Sequence, residues 1–460
     1  MTHKKCSPSL IRICWLFAVA LTLAIPASAE WKEQVLYSFQ GGTNDGSVPA
    51  GGVVFDAQGN LYGATKDGGM VYQLAPPAEQ GDPWTETVLY TFKGKEYNDG
   101  DFPNGGLLID SQGNLYGVTA YGGSGDCVLL GTDVGCGTVY ELSPPQQKGD
   151  AWTETILYSF PTAKQGYLPN GNLVFDGAGN LYGATSFGGS RGTTCDEFYG
   201  GQCGVVFELS PPKSKGGKWT EKVLHSFAGI ANGQQTGDGA NPNGGLVLDS
   251  KGSVYGTTYI GGYNCPHNSD QGCGTAFELQ PPTKRGGAWT ETVPHRFKRD
   301  ASDGGNPMAG LRFDGAGYLY GTTLNGGPGQ YGTVFSLRPP SKGAGAWVET
   351  VLYGFDDDQQ GADPEAGLIF DAHGDLYGTA YRGSGGSEYG DVFRLRPPSG
   401  KRRSWTLGVL YGFHTRVGPA QLTSNLILDD SGNLYGTSQS GGTGTGCGYG
   451  GCGTVFEVSP

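Results

Sequence analysis

Beyond residue 29 the sequence holds no apolar run long enough to cross a membrane, few segments of helical periodicity and few histidines. Each absence excludes something. Without a period of 3.6 there is no helical domain, and turn dipeptides scattered among 85 glycines place the chain in the all-β class. Basic residues are also short: 30 Lys and Arg against 43 Asp and Glu leave a net charge of -13. That sign repels phosphate backbones and anionic lipid, so neither nucleic acid nor a membrane surface is expected as a partner. None of the 6 histidines lies in an H-E-x-x-H or other dense metal spacing, and no metal or cofactor is expected.

The N-terminus carries a targeting pattern. Lys4, Lys5 and Arg12 precede an apolar run from Ile13 to Ile25, and Ala27-Ser28-Ala29 follows as a small-x-small cleavage site. The run is too short to span a hydrocarbon core of about 30 Å. Residues 1–29 are therefore read as a signal peptide, and removing its three basic residues takes the chain to -16. The sequence stops at Pro460 directly after a strand, with no hydrophobic or sorting tail. A monomeric product without a membrane span, secreted or periplasmic, is expected.

The rest is a repeat. GNLYG begins at Gly59, Gly113 and Gly179, with variants at the same place in four later copies, and an aspartate stands ahead of each: Asp56, Asp110, Asp176, Asp249, Asp314, Asp371 and Asp429. A Gly-rich loop comes next, then a strand such as Thr138-Val139-Tyr140-Glu141-Leu142, usually a Pro-Pro pair, and a tryptophan opening a last strand. One tryptophan falls in each repeat, Trp31 first, which points to packing between repeats. Four short strands per repeat and seven repeats predict a seven-bladed β-propeller of four-stranded antiparallel blades over residues 30–460. The chain opens on a lone fourth strand near Val35 to Phe39 and ends on a third strand near Val455 to Val458. The N-terminal strand is expected to complete the C-terminal blade and close the ring, which also hides sheet edges.

Cys6 and Cys14 fall in the leader, and the other eight cysteines form pairs inside single repeats: Cys127/Cys136, Cys195/Cys203, Cys265/Cys273 and Cys447/Cys452. All-or-none pairing in an exported chain predicts four local disulfides rather than a zinc site, because the pairs sit in four different repeats. All lie between second and third strands, a connection that varies from 10 residues (Tyr62 to Tyr72) to 25 (Tyr182 to Phe207). Their expected role is to hold long loops in shape, since the ring of sheets has a core of its own. The fourth-to-first connection varies too, whereas the first-to-second turn is constant. One face of the ring is thus uniform and the other diversified and stapled, and function on rigid scaffolds usually lives in such loops.

The sequence GNLYG followed by a Gly-Gly loop, GTVYEL or GTVFEV, and VLYSF resembles the Gloeo/Verruco tandem repeat of exported bacterial proteins, the choice-of-anchor GloVer proteins, over essentially the whole mature chain. The resemblance implies a scaffold and brings no catalytic residue with it; it also implies an anchoring tail that this sequence lacks. More loosely, Asp-x-x-Gly-Asn before an apolar strand resembles NHL-type propeller repeats, which are mostly binding modules.

Motifs for chemistry are sparse. Gly188 to Gly192 matches G-x-S-x-G without the strand-to-helix elbow that motif needs. The seven aspartates suit turn capping better than calcium, which needs more acidic ligands in one loop. His225 and His295 stand where Tyr37, Tyr90, Tyr158, Tyr353 and Tyr411 stand in other repeats, and read as strand packing; His267, His373 and His414 lie in loops or turns. The positions leaving the second strand vary while their flanks repeat: Asp67, Tyr121, Phe187, Ile260, Asn325, Arg382 and Ser440, with Tyr259 and Tyr381 in the neighbouring column. Tyr121, Phe187, Tyr259 and Tyr381 are candidate anchors for sugar rings or for an extracellular protein, with Arg382 adding charge. Covering the loop bases is an equal alternative role. The expectation is a non-catalytic recognition propeller binding a glycan or protein through its variable face. The alternatives are a polysaccharide lyase, lactonase or hydrolase acting in the central funnel, and a structural envelope or matrix protein.

Overall fold

The computed structural model describes residues 30–460 except 80, 148, 190–194, 196–201, 215, 231–236, 263–264, 266–271, 285, 342–344, 357–360, 385–388 and 416. The leader, His267 and most of the G-x-S-x-G match lie outside the described residues. The described chain is a seven-bladed propeller. Blade 1 runs outward through strands Ser47–Phe55, Leu61–Asp67, Met70–Ala75 and Thr85–Thr91, each antiparallel to the next. The following five blades repeat that order, and blade 7 takes its outermost strand, Lys32–Ser38, from the N-terminus. That strand pairs antiparallel with Thr454–Ser459, Lys32 opposite Ser459 and Ser38 opposite Thr454, so both ends of the described chain share one sheet.

The turn aspartates account for the constant hairpin between first and second strands. Asp56 Oδ1 accepts from the N–H groups of Gln58 and Asn60, and Oδ2 accepts from Asn60 Nδ2 and the Tyr62 hydroxyl. Asp110, Asp176, Asp249, Asp314, Asp371 and Asp429 likewise accept from two backbone N–H groups and a tyrosine. With these acceptor positions filled, each carboxylate serves the turn. Burial works against the charge on Asp56, yet the bonds from Asn60, Tyr62 and Gln58 hold it below the ordinary aspartate range.

Packing between blades is equally regular. The phenylalanine ending each fourth strand meets the third-strand aromatic of the next blade edge to face: Phe39 on Tyr72, Phe92 on Tyr140, Phe160 on Phe207, Phe227 on Phe277, Phe297 on Phe335, Phe355 on Phe393 and Phe413 on Phe456. Each such ring is worth about 1.5–3 kcal/mol in burial, and each edge-to-face pair roughly 0.5–1.5 more. The glycine of Leu-Tyr-Gly makes room for this layer: a Cβ on Gly321 would lie 2.7 Å from Phe335 Cζ, and one on Gly63 2.3 Å from the Tyr72 hydroxyl. Trp152, Trp289, Trp347 and Trp405 pack against Tyr62, Tyr182, Tyr255 and Tyr320 of the preceding blade, the packing role expected of them.

The four disulfides pair as the spacing predicted, Cys127 with Cys136, Cys195 with Cys203, Cys265 with Cys273 and Cys447 with Cys452, at Cα separations of 5.0–5.2 Å. Besides closing these loops, they take part in the packing between blades. Cys136, Cys273 and Cys452 are fully buried and Cys203 nearly so. Each pair belongs to an apolar cluster between blades, Cys127 and Cys136 packing in the one that holds Phe160 and Phe207. The reason lies in the chain path. The second cysteine of each pair stands two residues before the third strand, where the loop has already returned to the core, as Cys136 does before Thr138–Ser143.

No helix among the described residues is long and apolar enough to cross a membrane. One further element departs from the sequence reading. The first strand is continuous only in blades 1 and 3, with register shifts at Ala50/Val54 and Asn170/Val174, and in blade 5 it splits into Gly304–Gly305 and Arg312–Phe313. Every blade also carries a kink at one position of this strand.

Candidate functional site

That kink builds the axis of the ring. Val48, Phe102, Leu168, Asn241, Asn306, Asp363 and Gln421, one per blade, all have φ between 56° and 60°. Left-handed backbone is costly for side chains with a Cβ, and seven such residues at one repeat position form a shared structural device. The backbone N–H groups of Val48, Asn241 and Asn306 donate to the carbonyls of Cys452, Cys203 and Cys273 in the preceding blade, at 3.0, 2.8 and 2.6 Å. The stapled loops therefore brace the innermost strands. Asp363 donates in the same way to Tyr331 of a blade without a disulfide.

Two residues past the kink the chain faces the axis, and there the blades differ: Ala50, Asn104, Asn170, Asn243, Met308, Glu365 and Thr423. A belt of glycine backbone follows, so close that a Cβ on Gly51 would meet Gly106 N at 2.0 Å. Two asparagines reach across this belt: Asn172 Oδ1 accepts from Gly106 N at 2.8 Å and Asn425 Oδ1 from Gly367 N at 2.6 Å. Two cavities meet the belt. One of about 180 Å³ lies on the variable-loop side and is polar, lined by Lys66, Asn104, Asn170, Asn243, Glu365 and Gln439 among others. One of about 510 Å³ lies on the uniform side, lined by apolar side chains such as Val54, Val174, Val247, Ile369 and Ile427 together with as much polar surface.

The polar cup contains few charges, and burial shifts them. Burial pushes the Glu365 carboxyl up to about 7, Asp363 reinforcing and Lys66 opposing. Burial likewise pulls the Lys66 ammonium below the ordinary lysine range, against the nearby Asp67 and Glu365. Both phenols of Tyr259 and Tyr381 are raised by burial and next by the charge of Glu365. Gln421 Nε2 donates to the Tyr381 hydroxyl at 2.9 Å, Gln439 Nε2 donates to Thr423 Oγ1 at 2.7 Å, and Asn170 Nδ2 donates to Asn243 Oδ1 at 3.1 Å. The result is a rim of fixed amides and hydroxyls around one carboxyl and one amine.

The five residues singled out from the sequence do not converge. Tyr259 and Tyr381 are half-buried beside Glu365. Arg382 is held by Asp363, its Nε and Nη2 donating to Oδ2 at 2.6 and 2.5 Å, and lies over the Tyr331 ring at 5.3 Å. Tyr121 packs on Phe102 with ring centroids 5.6 Å apart, and Phe187 is 9% exposed within the core between blades 2 and 3. Alternation explains the division: neighbouring positions on a strand face opposite ways, so the Tyr259/Tyr381 column faces the axis and the Tyr121/Phe187 column does not. Lys66 belongs to the axial column, and Glu365 with its asparagine equivalents belongs to the first strand. Lys66 shares the column of Tyr259 and Tyr381 without being aromatic, and Glu365 stands on a first strand, away from the ends of the second strands. Column-by-column variation along the first strand was the available signal.

No curated protein matches the chain. Among solved structures, virginiamycin B lyase from Staphylococcus aureus is similar at 12% identity and a TM-score of 0.49, over 94% of this chain and 100% of that one. The PQQ-bound aldose sugar dehydrogenase of Streptomyces coelicolor follows at 13% identity and a TM-score of 0.42, over 94% and 98%. A gluconolactonase from Xanthomonas campestris aligns at 14% identity and a TM-score of 0.39, over 93% and 89%. The Gloeobacter/Verrucomicrobia repeat matches residues 25–267 and 264–460, and the chain belongs to that repeat family.

Proposed function

We propose that this is an exported recognition propeller that binds a glycan, seating one sugar unit in the polar axial cup and the rest of the chain across the variable loops. The supporting observation is a cavity of about 180 Å³ lined by Asn104, Asn170, Asn243, Thr423 and Gln439, with Tyr259 and Tyr381 near enough to its Glu365 to feel that charge. That volume is below the roughly 300 Å³ at which drug-sized pockets begin, so it suits a single ring or chain end. Amides and hydroxyls serve the many donors and acceptors of a sugar, and tyrosine faces cover its C–H surfaces. The polar lining and the net charge of -13 favour a neutral or weakly charged saccharide over an anionic one. The leader and the four disulfides support export.

A panel of soluble polysaccharides and their oligosaccharides, read by thermal shift and then calorimetry, tests this. For a ligand so identified, Tyr259→Ala with Tyr381→Ala weakens binding at least tenfold with the melting curve intact, whereas Tyr121→Ala leaves affinity within about twofold. Equal losses from both sets would remove the axial cup as the binding site.

A second reading is favoured by Glu365 itself. A carboxyl titrating near 7 beside an amine of lowered basicity is suited to proton transfer at neutral pH. A lyase or lactonase acting in the cup would lose at least 100-fold in rate with Glu365→Gln while retaining substrate binding. Absence of turnover across polysaccharide and lactone panels rules against it.

A further inference from the structure

A different set of chemistry-bearing residues lies in the seams between blades, away from the axial cup. Near the start of the fourth strand in six of seven repeats stands a glutamate: Glu33, Glu86, Glu154, Glu221, Glu291 and Glu349. In all six, Oε1 is buried and no hydrogen-bond donor reaches it. Each faces the preceding blade, where the fourth strand presents a tyrosine or a histidine. In two tyrosine seams the need for a donor is met elsewhere: Tyr37 donates to Asp45 and Tyr90 to Asp99, each at 2.8 Å. A phenol whose proton is held this firmly is a donor and does not ligate a cation.

In the seam between blades 4 and 5 the tyrosine is replaced by His295. Its Nε2 lies 3.1 Å from both Oδ1 and Oδ2 of Asp303, and a ligand atom from each of His295, Asp303 and Glu349 falls within 4.8 Å of the others. The imidazole is 18% exposed and the Asp303 carboxylate 5%, so the group is enclosed on the carboxylate side and reachable from the imidazole side. A neutral imidazole with two carboxylates offers one nitrogen, carboxylate oxygens and two negative charges. That set suits a borderline divalent cation with a water completing four ligands. Tetrahedral bonds of about 2.0–2.1 Å place ligand atoms roughly 3.3–3.4 Å apart. The His295–Asp303 pair already has nearly that spacing, and Glu349, whose Oε1 has no other partner, closes the remainder by side-chain rotation.

We propose that His295, Asp303 and Glu349 form a zinc site that clamps blade 4 to blade 5. The preceding seam provides a contrast within the same molecule. There His225 and Asp238 also approach to 3.1 Å, but among the described residues no third ligand atom joins them within 4.8 Å. One zinc per chain is therefore expected.

The test is calorimetric titration of the chelator-stripped protein with zinc chloride, alongside its melting temperature with and without the ion. Two substitutions import what the next seam already uses, since Tyr353 and Leu407 occupy the equivalent positions there. The wild-type protein binds one equivalent with micromolar or tighter affinity and melts higher with zinc. His295→Tyr and Glu349→Leu each weaken binding at least tenfold and remove the zinc-dependent shift, while His225→Tyr retains both. Asp303→Asn, which conserves volume, reads the site if either substitution impairs folding. No zinc uptake by the wild-type protein, unchanged uptake by His295→Tyr, or equal loss in His225→Tyr would each overturn the assignment.

Discussion

A glycine in a propeller strand is easily taken for a flexible point, but the glycine of Leu-Tyr-Gly is there for clearance. Seven third-strand rings lean against seven such glycines, and any side chain would displace the ring that joins one blade to the next. Gly321→Ala, with its Cβ at 2.7 Å from Phe335, is expected to cost about 1–3 kcal/mol in urea unfolding, in the range for an overpacked core. Repetition made this position plain in the sequence; its reason was not plain, since the ring filling the space comes from a strand elsewhere in the repeat. The candidate site was less legible still. Tyr259 and Tyr381 could be picked from their column, but Glu365 and Lys66 look ordinary until the ring brings distant repeats to one axis.

Among the elements, the fourth strand carries the least expected electrostatics. Burial pushes Glu86, Glu154 and Glu221 up to about 7. A carboxyl raised on folding favours the protonated state in the folded protein. Its stabilising contribution is complete below the unfolded value of about 4.3 and is lost as pH rises through about 7. The protein is thus expected to melt higher at pH 5 than at pH 8, and replacing all three by glutamine should flatten that difference. A melting temperature that climbs steadily toward pH 8 would contradict this account. The Trp-Thr-Glu-Thr pattern recurs openly in the sequence, but nothing local marks its glutamates as buried. Only the seam, closed by the neighbouring blade, takes these carboxyls out of water.

For the molecule as a whole, stability depends on closing the circle. The strand Lys32–Ser38 covers an edge that Thr454–Ser459 would otherwise present. Phe39 then packs on Tyr72, so the same segment joins blade 7 to blade 1. Removing residues up to Phe39 is expected to convert a cooperative melt into a broad one and to produce higher-order species in size-exclusion chromatography. A truncated chain that remained monomeric with an unchanged melt would show that blades 1 to 7 hold together without the closing strand.

The sequence by itself determined the number of blades, their four-strand order, the turn aspartates, the cysteine pairing and the split repeat that closes the ring. All of these are local or periodic, so each copy testifies for the others. Only the tertiary structure decided what the blades create jointly: the kinked inner strands, the burial of disulfides such as Cys127–Cys136 between blades, the two cavities about a glycine belt, the Glu365–Lys66 environment and the His295–Asp303–Glu349 seam. Those depend on residues from different repeats meeting across an axis or an interface. No spacing along one chain encodes that meeting, because it arises from the angle at which one blade packs on the next.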